Sequence, residues 1–406
     1  MSQAHPNAQD VERARAAGAQ VVKRTPVLSS RTVSERCGGQ VVLKAENLQR
    51  TGSFKLRGAL AKVDALGEER AAGVVAGSAG NHAQAVAYAA RTRGIGCDVF
   101  MPADASIAKT ESAAALGAQV HVIDGDVDDC VAAARAHAAQ SGQAFVHPFD
   151  DPVVVAGQGT LGLELVEDVS DLARVVVPVG GGGLASGIAL AIRERRPEVQ
   201  VFGVQVQASP AAYESLSAGA PVEAAPAATI ADGIAIKRPG ELTLALMERW
   251  LEGVELVDED DVAEAMVLAL ERSKLVVEGA GAVGLAALLS GAVAPAPEGT
   301  TVAVLSGGNV DAGMLAGIVR RHESHAGRRL VVLSRVADRP GGLAALLGCV
   351  AASGANLVDV SHVREGLDLH VRETAVELVL ETRGREHAER VLEALTQDGY
   401  EARVLH

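Results

Sequence analysis

Arg174-Val175-Val176-Val177-Pro178-Val179-Gly180-Gly181-Gly182-Gly183-Leu184 is the stretch that decides the fold. A β-branched run empties into four glycines and then resumes as the apolar run 184–195, so a buried strand, a bare loop and a helix follow one another. Glycines at a strand-to-helix turn leave main-chain N–H groups converging at a helix N-terminus, where an anion such as a phosphate is favoured. A tight turn is the plainer reading. Four consecutive glycines, however, each add chain entropy that folding must overcome, and a turn needs fewer.

The alternation extends outward on both sides. Strands are expected at residues 41–44, 73–76, 97–101, 119–123, 144–146, 174–179, 199–206 and 300–305. Helices are expected at 54–66, 80–92, 107–116, 127–140, 152–169, 184–195 and 260–273. Short β-branched runs separated by Ala-rich amphipathic runs make a doubly wound α/β fold with parallel sheets. Residues 1–321 form this region, and its length implies two lobes, the smaller at about 48–152. A ligand is expected between the lobes, at the carboxyl ends of strands.

After residue 321 the texture changes. Residues 322–328 (HESHAGR) read as a polar linker. Residues 329–406 scan as strand 329–336, helix 341–353, strands 356–363 and 370–382, helix 385–397 and strand 400–405, the order of a ferredoxin-like α+β domain. Asp338 and Pro340 read as the start signal of its first helix.

Composition excludes several classes. The chain has 406 residues and a formal charge of −14, with nine aromatic side chains, so nucleic acid is an unfavourable partner. Cys37, Cys97, Cys130 and Cys349 show no metal-knuckle or disulfide spacing, which fits a reducing cytoplasm. The first 23 residues lack the apolar core of a secretory signal. The uncharged runs 175–192 and 279–297 are interrupted by Gly and Pro and poor in large apolar residues, so no membrane span is expected.

Lysine is rare, with seven against thirty arginines. Lys55 lies in Thr51-Gly52-Ser53-Phe54-Lys55-Leu56-Arg57-Gly58-Ala59, where a Gly-bearing turn meets a helix start. The positive helix end helps keep an amine there unprotonated and nucleophilic; a surface lysine at a helix start is the alternative. Gly77-Ser78-Ala79-Gly80-Asn81-His82 follows another strand and exposes main-chain donors suited to a carboxylate, although Ser78 or Asn81 also suits an N-cap. Ser306, in Leu305-Ser306-Gly307-Gly308-Asn309, sets a neutral hydroxyl at a third strand exit, or forms an ST-turn. Gly279-Ala280-Gly281-Ala282-Val283-Gly284 matches the dinucleotide fingerprint G-x-G-x-x-G. No strand precedes it, and the acidic residue some 20 positions on, Glu298, sits in a Pro-rich loop, so helix packing is the better reading.

These four motifs, in this order and spacing, resemble the fold type II pyridoxal-phosphate enzymes, and within them the threonine dehydratases (threonine ammonia-lyases) carrying one C-terminal ACT domain. The likeness runs from about residue 21 to 406 and takes in His147-Pro148-Phe149-Asp150, Gly157-Gln158-Gly159-Thr160, Ala231-Asp232-Gly233 and Asp338-Arg339-Pro340-Gly341. The resemblance implies residues 1–321 as the catalytic domain, 322–328 as linker and 329–406 as an ACT regulatory domain. It implies pyridoxal 5'-phosphate as cofactor, held by Lys55 as a Schiff base, with Lys55 also taking the substrate α-proton. Phe54, Asn81, Gly180, Gly181, Gly182, Gly183, Leu184, Gly233, Glu278 and Ser306 then complete the cofactor site. Asn81 meets the ring hydroxyl, the glycines the phosphate, and Ser306 the ring nitrogen.

On the same resemblance, Ser78, Ala79, Gly80, Asn81 and His82 hold the carboxylate of a small amino acid. The implied reaction is β-elimination of L-threonine to 2-oxobutanoate and ammonia, and of L-serine to pyruvate, with the cofactor phosphate protonating the departing hydroxyl. Related serine racemases have a serine where this chain has Ala79, and carboxylates for a divalent cation where it has Gln205 and Ala211, so racemisation is disfavoured and no metal is expected. The ACT-like segment implies control by a small amino acid near Gly341, Gly354, Asn356 and His362, with isoleucine inhibition and valine relief in the biosynthetic type. A homodimer or homotetramer is the family expectation, and a purely oligomeric role for the segment is the alternative. The competing readings are a serine-preferring dehydratase or racemase, an ACT-linked NAD-dependent oxidoreductase, and a catalytically silent amino acid sensor.

Overall fold

A computed structural model describes residues 5–224, 227–364, 370 and 372–405, apart from the side chains of 70 and 71. The polypeptide divides into two compact units, Met1–Asp311 and Ala312–His406.

The first unit opens with α1 (Ala8–Gly18), β1 (Val27–Ser29), α2 (Arg31–Cys37) and β2 (Val41–Ala45). Asn7 caps α1, and Asp10 returns the bond to the Asn7 main chain. Sequence reading missed α1, β1 and α2, because short elements with few apolar positions give no clear period. The smaller lobe follows as α3 (Lys55–Ala65), β3 (Val74–Gly77), α4 (Asn81–Arg93), β4 (Cys97–Pro102), α5 (Ile107–Ala115), β5 (Gln119–Ile123), α6 (Val127–Ser141) and β6 (Ala144–Phe145). Its strands form one parallel sheet in the order β5-β4-β3-β6.

The chain then returns to the larger lobe as α7 (Pro152–Asp168), β7 (Leu172–Pro178), α8 (Gly183–Arg193), β8 (Gln200–Val206), α9 (Ala211–Ala218), α10 (Glu241–Trp250), β9 (Gly253–Val257), α11 (Glu259–Leu268), α12 (Gly279–Ser290) and β10 (Thr300–Leu305). The larger sheet has the order β1-β2-β10-β7-β8-β9, parallel except where β1 pairs with β2. Thus β2, β10 and β7 lie side by side and point the same way, although they are far apart in sequence. Their carboxyl ends lead into the Lys55, Ser306 and tetraglycine segments respectively. Topology alone therefore brings three motifs to one edge.

The two lobes share a buried quartet of charges. Lys44 Nζ donates to Glu164 Oε2 at 2.6 Å, and Arg57 donates to Glu46 at 2.7 and 2.8 Å and to Glu164 at 2.8 Å. The two cations offset the two anions, and hydrogen bonds satisfy each charge, which is the condition for burying them. The glycines of α12 pack as expected: a Cβ at Gly281 would lie 2.4 Å from the Gly307 carbonyl oxygen, and one at Gly279 would be 2.1 Å from that of Ile230. The helix expected over 260–273 ends differently, with α11 passing into a π-turn at Ala269–Ser273 and Lys274 at φ 59°. Among the described residues, no helix is long and apolar enough to cross a membrane.

The second unit comprises α13 (Ala312–His325), β11 (Arg329–Ala337), α14 (Gly342–Ala352), β12 (Asn356–Val363), β13 (Glu373–Glu381), α15 (Arg385–Gln397) and β14 (Ala402–Val404). Its antiparallel sheet has the order β12-β13-β11-β14, that of the split βαβ fold expected from the sequence. Two details differ. Residues 322–325, expected in a linker, are the last turn of α13, because a polar run also describes an exposed helix end; Gly327, at φ 68°, follows it. Asp338 does not cap α14; Gly341, at φ 90°, occupies that position without a side-chain bond. Residues 365–369, between the second and third of the expected strands, and residue 371, within the third, lie outside the described residues.

Candidate active site

Lys55 is the first residue of α3, and the turn before it is fixed by main-chain bonds to the loop after β10. Phe54 N donates to Ser306 O at 3.0 Å, and Gly308 N donates to Gly52 O at 2.9 Å. The lysine and serine motifs are therefore laid side by side. Gly52 has φ 72°, and a Cβ there would lie 2.2 Å from Asn309 Oδ1, so only glycine serves. Lys55 Nζ donates to Pro148 O at 2.8 Å. Burial lowers the pKa of this amine to about 8, against a weaker opposing pull from Glu278.

Facing Lys55 is the tetraglycine turn. Gly182 takes φ 88° as the N-cap of α8, and no side chain caps that helix. A Cβ on Gly181 would lie 2.2 Å from the Phe149 ring, and one on Gly183 would lie 3.1 Å from the Phe149 main chain. The turn is side-chain-free because a phenylalanine is pressed against it. An uncapped helix N-terminus lined by glycine is an anion site.

The third wall is the loop after β3. The cap of α4 is Gly80, without a side-chain bond, so neither Ser78 nor Asn81 spends its side chain in that role; Ser78 Oγ accepts from Gly80 N at 3.2 Å. Asn81 Nδ2 donates to Glu278 Oε1 at 2.7 Å, and Asn309 Nδ2 donates to Asn81 Oδ1 at 2.7 Å. These bonds orient the Asn81 amide. Burial and the nearby Asp232 charge push the Glu278 carboxyl up to about 7. Gly233 adjoins it, a Cβ there lying 3.8 Å from Glu278 Oε1.

Phe54, Lys55, Ser78, Ala79, Gly80, Asn81, His82, the four glycines, Leu184, Gly233, Glu278 and Ser306 all line one cleft of about 1150 Å³, counted to its open mouth. Every residue that the resemblance implied for cofactor or substrate therefore lines this one cleft. The His82 side chain has a separate task. Its Nε2 meets Val146 O at 2.8 Å, and burial lowers its pKa to about 3, so it is neutral and anchors α4. Phe149, Asp232 and Lys109 are among the lining residues that the sequence reading did not assign to the site. The rarity of lysine was the available signal for Lys109.

Where the sequence reading expects no metal site, Gln205 Oε1 accepts from Ala212 N and Tyr213 N, both at 2.9 Å. A neutral amide thus serves the start of α9. Among the described residues, no group of three His, Cys, Asp or Glu side chains could hold a metal.

Comparison with known proteins agrees with this geometry. An L-threonine ammonia-lyase of Thermotoga maritima is 44% identical over 400 residues, 98% of this chain and 99% of that one. A solved threonine deaminase from T.th. has TM-score 0.71 at 43% identity, covering 75% of this chain and 99% of that one. Maize serine racemase has TM-score 0.74 at 33% identity, covering 79% and 99%. Residues 19–307 match the family described as pyridoxal-phosphate dependent enzyme.

The site fits that cofactor on its own terms. A buried amine of lowered basicity suits an aldehyde, a glycine cradle suits a phosphate, and the oriented Asn81 amide has a second N–H for a ring oxygen. With the match spanning most of its length and a lysine amine, a glycine turn and an oriented amide gathered in one cleft, the chain belongs to the pyridoxal-phosphate dependent enzyme family, and pyridoxal 5'-phosphate is its cofactor.

Proposed function

We propose that the protein is an L-threonine ammonia-lyase that forms 2-oxobutanoate and ammonia by β-elimination and also converts L-serine to pyruvate. The observation that carries this reading is the position of Lys55 Nζ, a buried amine of lowered basicity in one cleft with a side-chain-free anion turn and a loop of main-chain donors. The 44% identity with an L-threonine ammonia-lyase over 98% of the chain supports it.

Bound here, pyridoxal phosphate supplies an electron sink for the bond broken at the amino acid α-carbon. Gly180, Gly181, Gly182 and Gly183 would hold its phosphate, Asn81 its ring hydroxyl, and Ser306 its ring nitrogen. Lys55 Nζ would hold the cofactor and would accept the α-proton, a role that burial suits by lowering the basicity of its amine. The loop of Ser78, Ala79, Gly80, Asn81 and His82 binds the substrate carboxylate through the N-terminus of α4. Ala79 presents a methyl group to the cleft and cannot carry a proton, so elimination is favoured over racemisation. Ser306, a neutral hydroxyl, would leave the ring nitrogen without a charged partner, which suits a reaction that expels its leaving group at once.

The second unit reads as an ACT domain that binds a small amino acid and regulates turnover, with the effector near Gly341, Gly354, Asn356 and His362. Its four-stranded antiparallel order supports this reading. A cytoplasmic homo-oligomer completes the proposal, with isoleucine and valine as the first effectors to try.

The purified protein should release 2-oxobutanoate from L-threonine without any change in NADH. Borohydride reduction and peptide mass mapping should place the pyridoxyl tag on Lys55. A tag on another residue, or no oxo acid, overturns the proposal. An unchanged rate with isoleucine, valine, serine and threonine as effectors overturns the regulatory part alone.

A further inference from the structure

At the mouth of the cleft, Lys109 of the smaller lobe donates through Nζ to Asp232 Oδ2 of the larger lobe at 2.8 Å. The two side chains sit in unequal surroundings, that of Lys109 being 21% exposed and that of Asp232 51%. The ammonium hangs over the loop at the start of α4: a methyl group placed on Gly80 would lie 4.0 Å from Lys109 Nζ. Lys55 and Lys109 are the two cations that line the cleft, since burial keeps His82 neutral. Burial disfavours the charged form of Lys109, and the bond and charge of Asp232, helped by Glu278 and Asp311, outweigh it.

We infer that Lys109 is a substrate-binding residue whose ammonium pairs with the carboxylate of the incoming amino acid, and that Asp232 is the partner it exchanges for that carboxylate. The inference rests on the reading that an amino acid occupies the cleft. A largely buried cation keeps a partner, because leaving it unpaired costs more than the pair itself contributes. Asp232, half in water, is rehydrated cheaply on release. The arriving carboxylate has the charge and shape of the group it replaces. It lands where the helix N-terminus already favours an anion, so Lys109 adds a full charge to a partial one. Selection for α-amino acids with a free carboxylate follows.

A second ion pair between the lobes supplies the control. Lys237 pairs with Asp126, the N-cap of α6, and Lys237 does not line the cleft. If the two pairs only hold the lobes together, breaking either should act alike.

The test uses the holoenzyme, with L-alanine as a non-eliminating ligand followed through the visible absorption of the bound cofactor, and L-threonine for turnover. Lys109→Gln should weaken L-alanine binding and raise KM for L-threonine about tenfold or more, the loss expected of a charged hydrogen bond, with kcat within about threefold. Lys109→Arg should restore most of the affinity. Asp232→Asn should leave L-alanine binding unchanged or tighter, because it frees the ammonium. Lys237→Gln should bind L-alanine like the parent. Binding of L-alaninamide, which lacks the carboxylate, should be insensitive to Lys109→Gln. Equal weakening by Lys109→Gln and Asp232→Asn overturns the inference, as does equal weakening by Lys237→Gln. Unaltered L-alanine affinity in Lys109→Gln also overturns it. Failure to turn over L-threonine, with the alanine pattern intact, would sink the lyase reading and leave this one standing.

Discussion

Lys55 Nζ donates a 2.8 Å hydrogen bond to the carbonyl oxygen of Pro148, and the next residue, Phe149, lies against the tetraglycine turn. One short segment thus holds the reactive amine at one end and shapes the anion site at the other.

The first prediction concerns that amine. Burial lowers its pKa to about 8, so its neutral fraction grows as pH rises through that value. Cofactor-stripped protein should recombine with pyridoxal phosphate faster as pH goes from about 7 to 9, with a midpoint near 8. Stopped-flow absorbance checks this, and a midpoint near the ordinary lysine value of 10.5 would refute it. Lys55→Ala should form no covalent adduct at any pH.

Gly181 is held side-chain-free by the Phe149 ring, 2.2 Å from where a Cβ would stand. Gly181→Ala should therefore displace the ring or the turn and weaken cofactor affinity about tenfold or more, the range of an overpacked site. The Phe149→Ala, Gly181→Ala double variant should recover part of that loss. Fluorescence titration with pyridoxal phosphate measures both.

The buried quartet predicts a stability cost with a clear asymmetry. Arg57→Ala leaves Glu46, a fully buried carboxylate, without its guanidinium and should cost about 3–5 kcal/mol in urea unfolding. Arg24→Ala removes exposed pairs with Glu167 and Asp168 and should cost about 1 kcal/mol or less.

Glu278 predicts a pH dependence of opposite sign to that of an ordinary ion-paired carboxylate. Its folded pKa is raised to about 7 from 4.5, so the folded state binds the proton more tightly than the unfolded chain. Its contribution to stability is complete below about 4.5 and is lost as pH rises through 7, by up to about 3 kcal/mol. In the cofactor-free protein, Glu278→Gln should flatten the fall in stability between those pH values. A parallel fall in both proteins would show that other groups carry it.

Gln205 predicts a small structural effect. Gln205→Ala removes the acceptor for Ala212 N and Tyr213 N and should cost about 1 kcal/mol, as loss of a helix cap does. Magnesium and chelator should leave the thermal midpoint of the parent protein unchanged.

Much of this site was legible in the sequence because each motif is a local device. A strand, a run of glycines and a helix start can be read in order along the chain, while the assignment of Lys55, Ser78, Asn81, Gly180 and Ser306 to one site was what the family resemblance implied. Their chemistry follows from residue type and from the helix ends they occupy. What the sequence could not express was which strand neighbours which. The adjacency of β2, β10 and β7 is a property of the larger sheet, and it is this adjacency that makes Lys55, Ser306 and the glycine turn a single site. The pairing of Lys109 with Asp232, 123 positions apart, likewise exists only once the two lobes meet. Local order along a chain dictates which turns and helix ends form. Only the packed sheet decides the distances between them, and with those the burial that lowers the basicity of Lys55 and raises the carboxyl of Glu278.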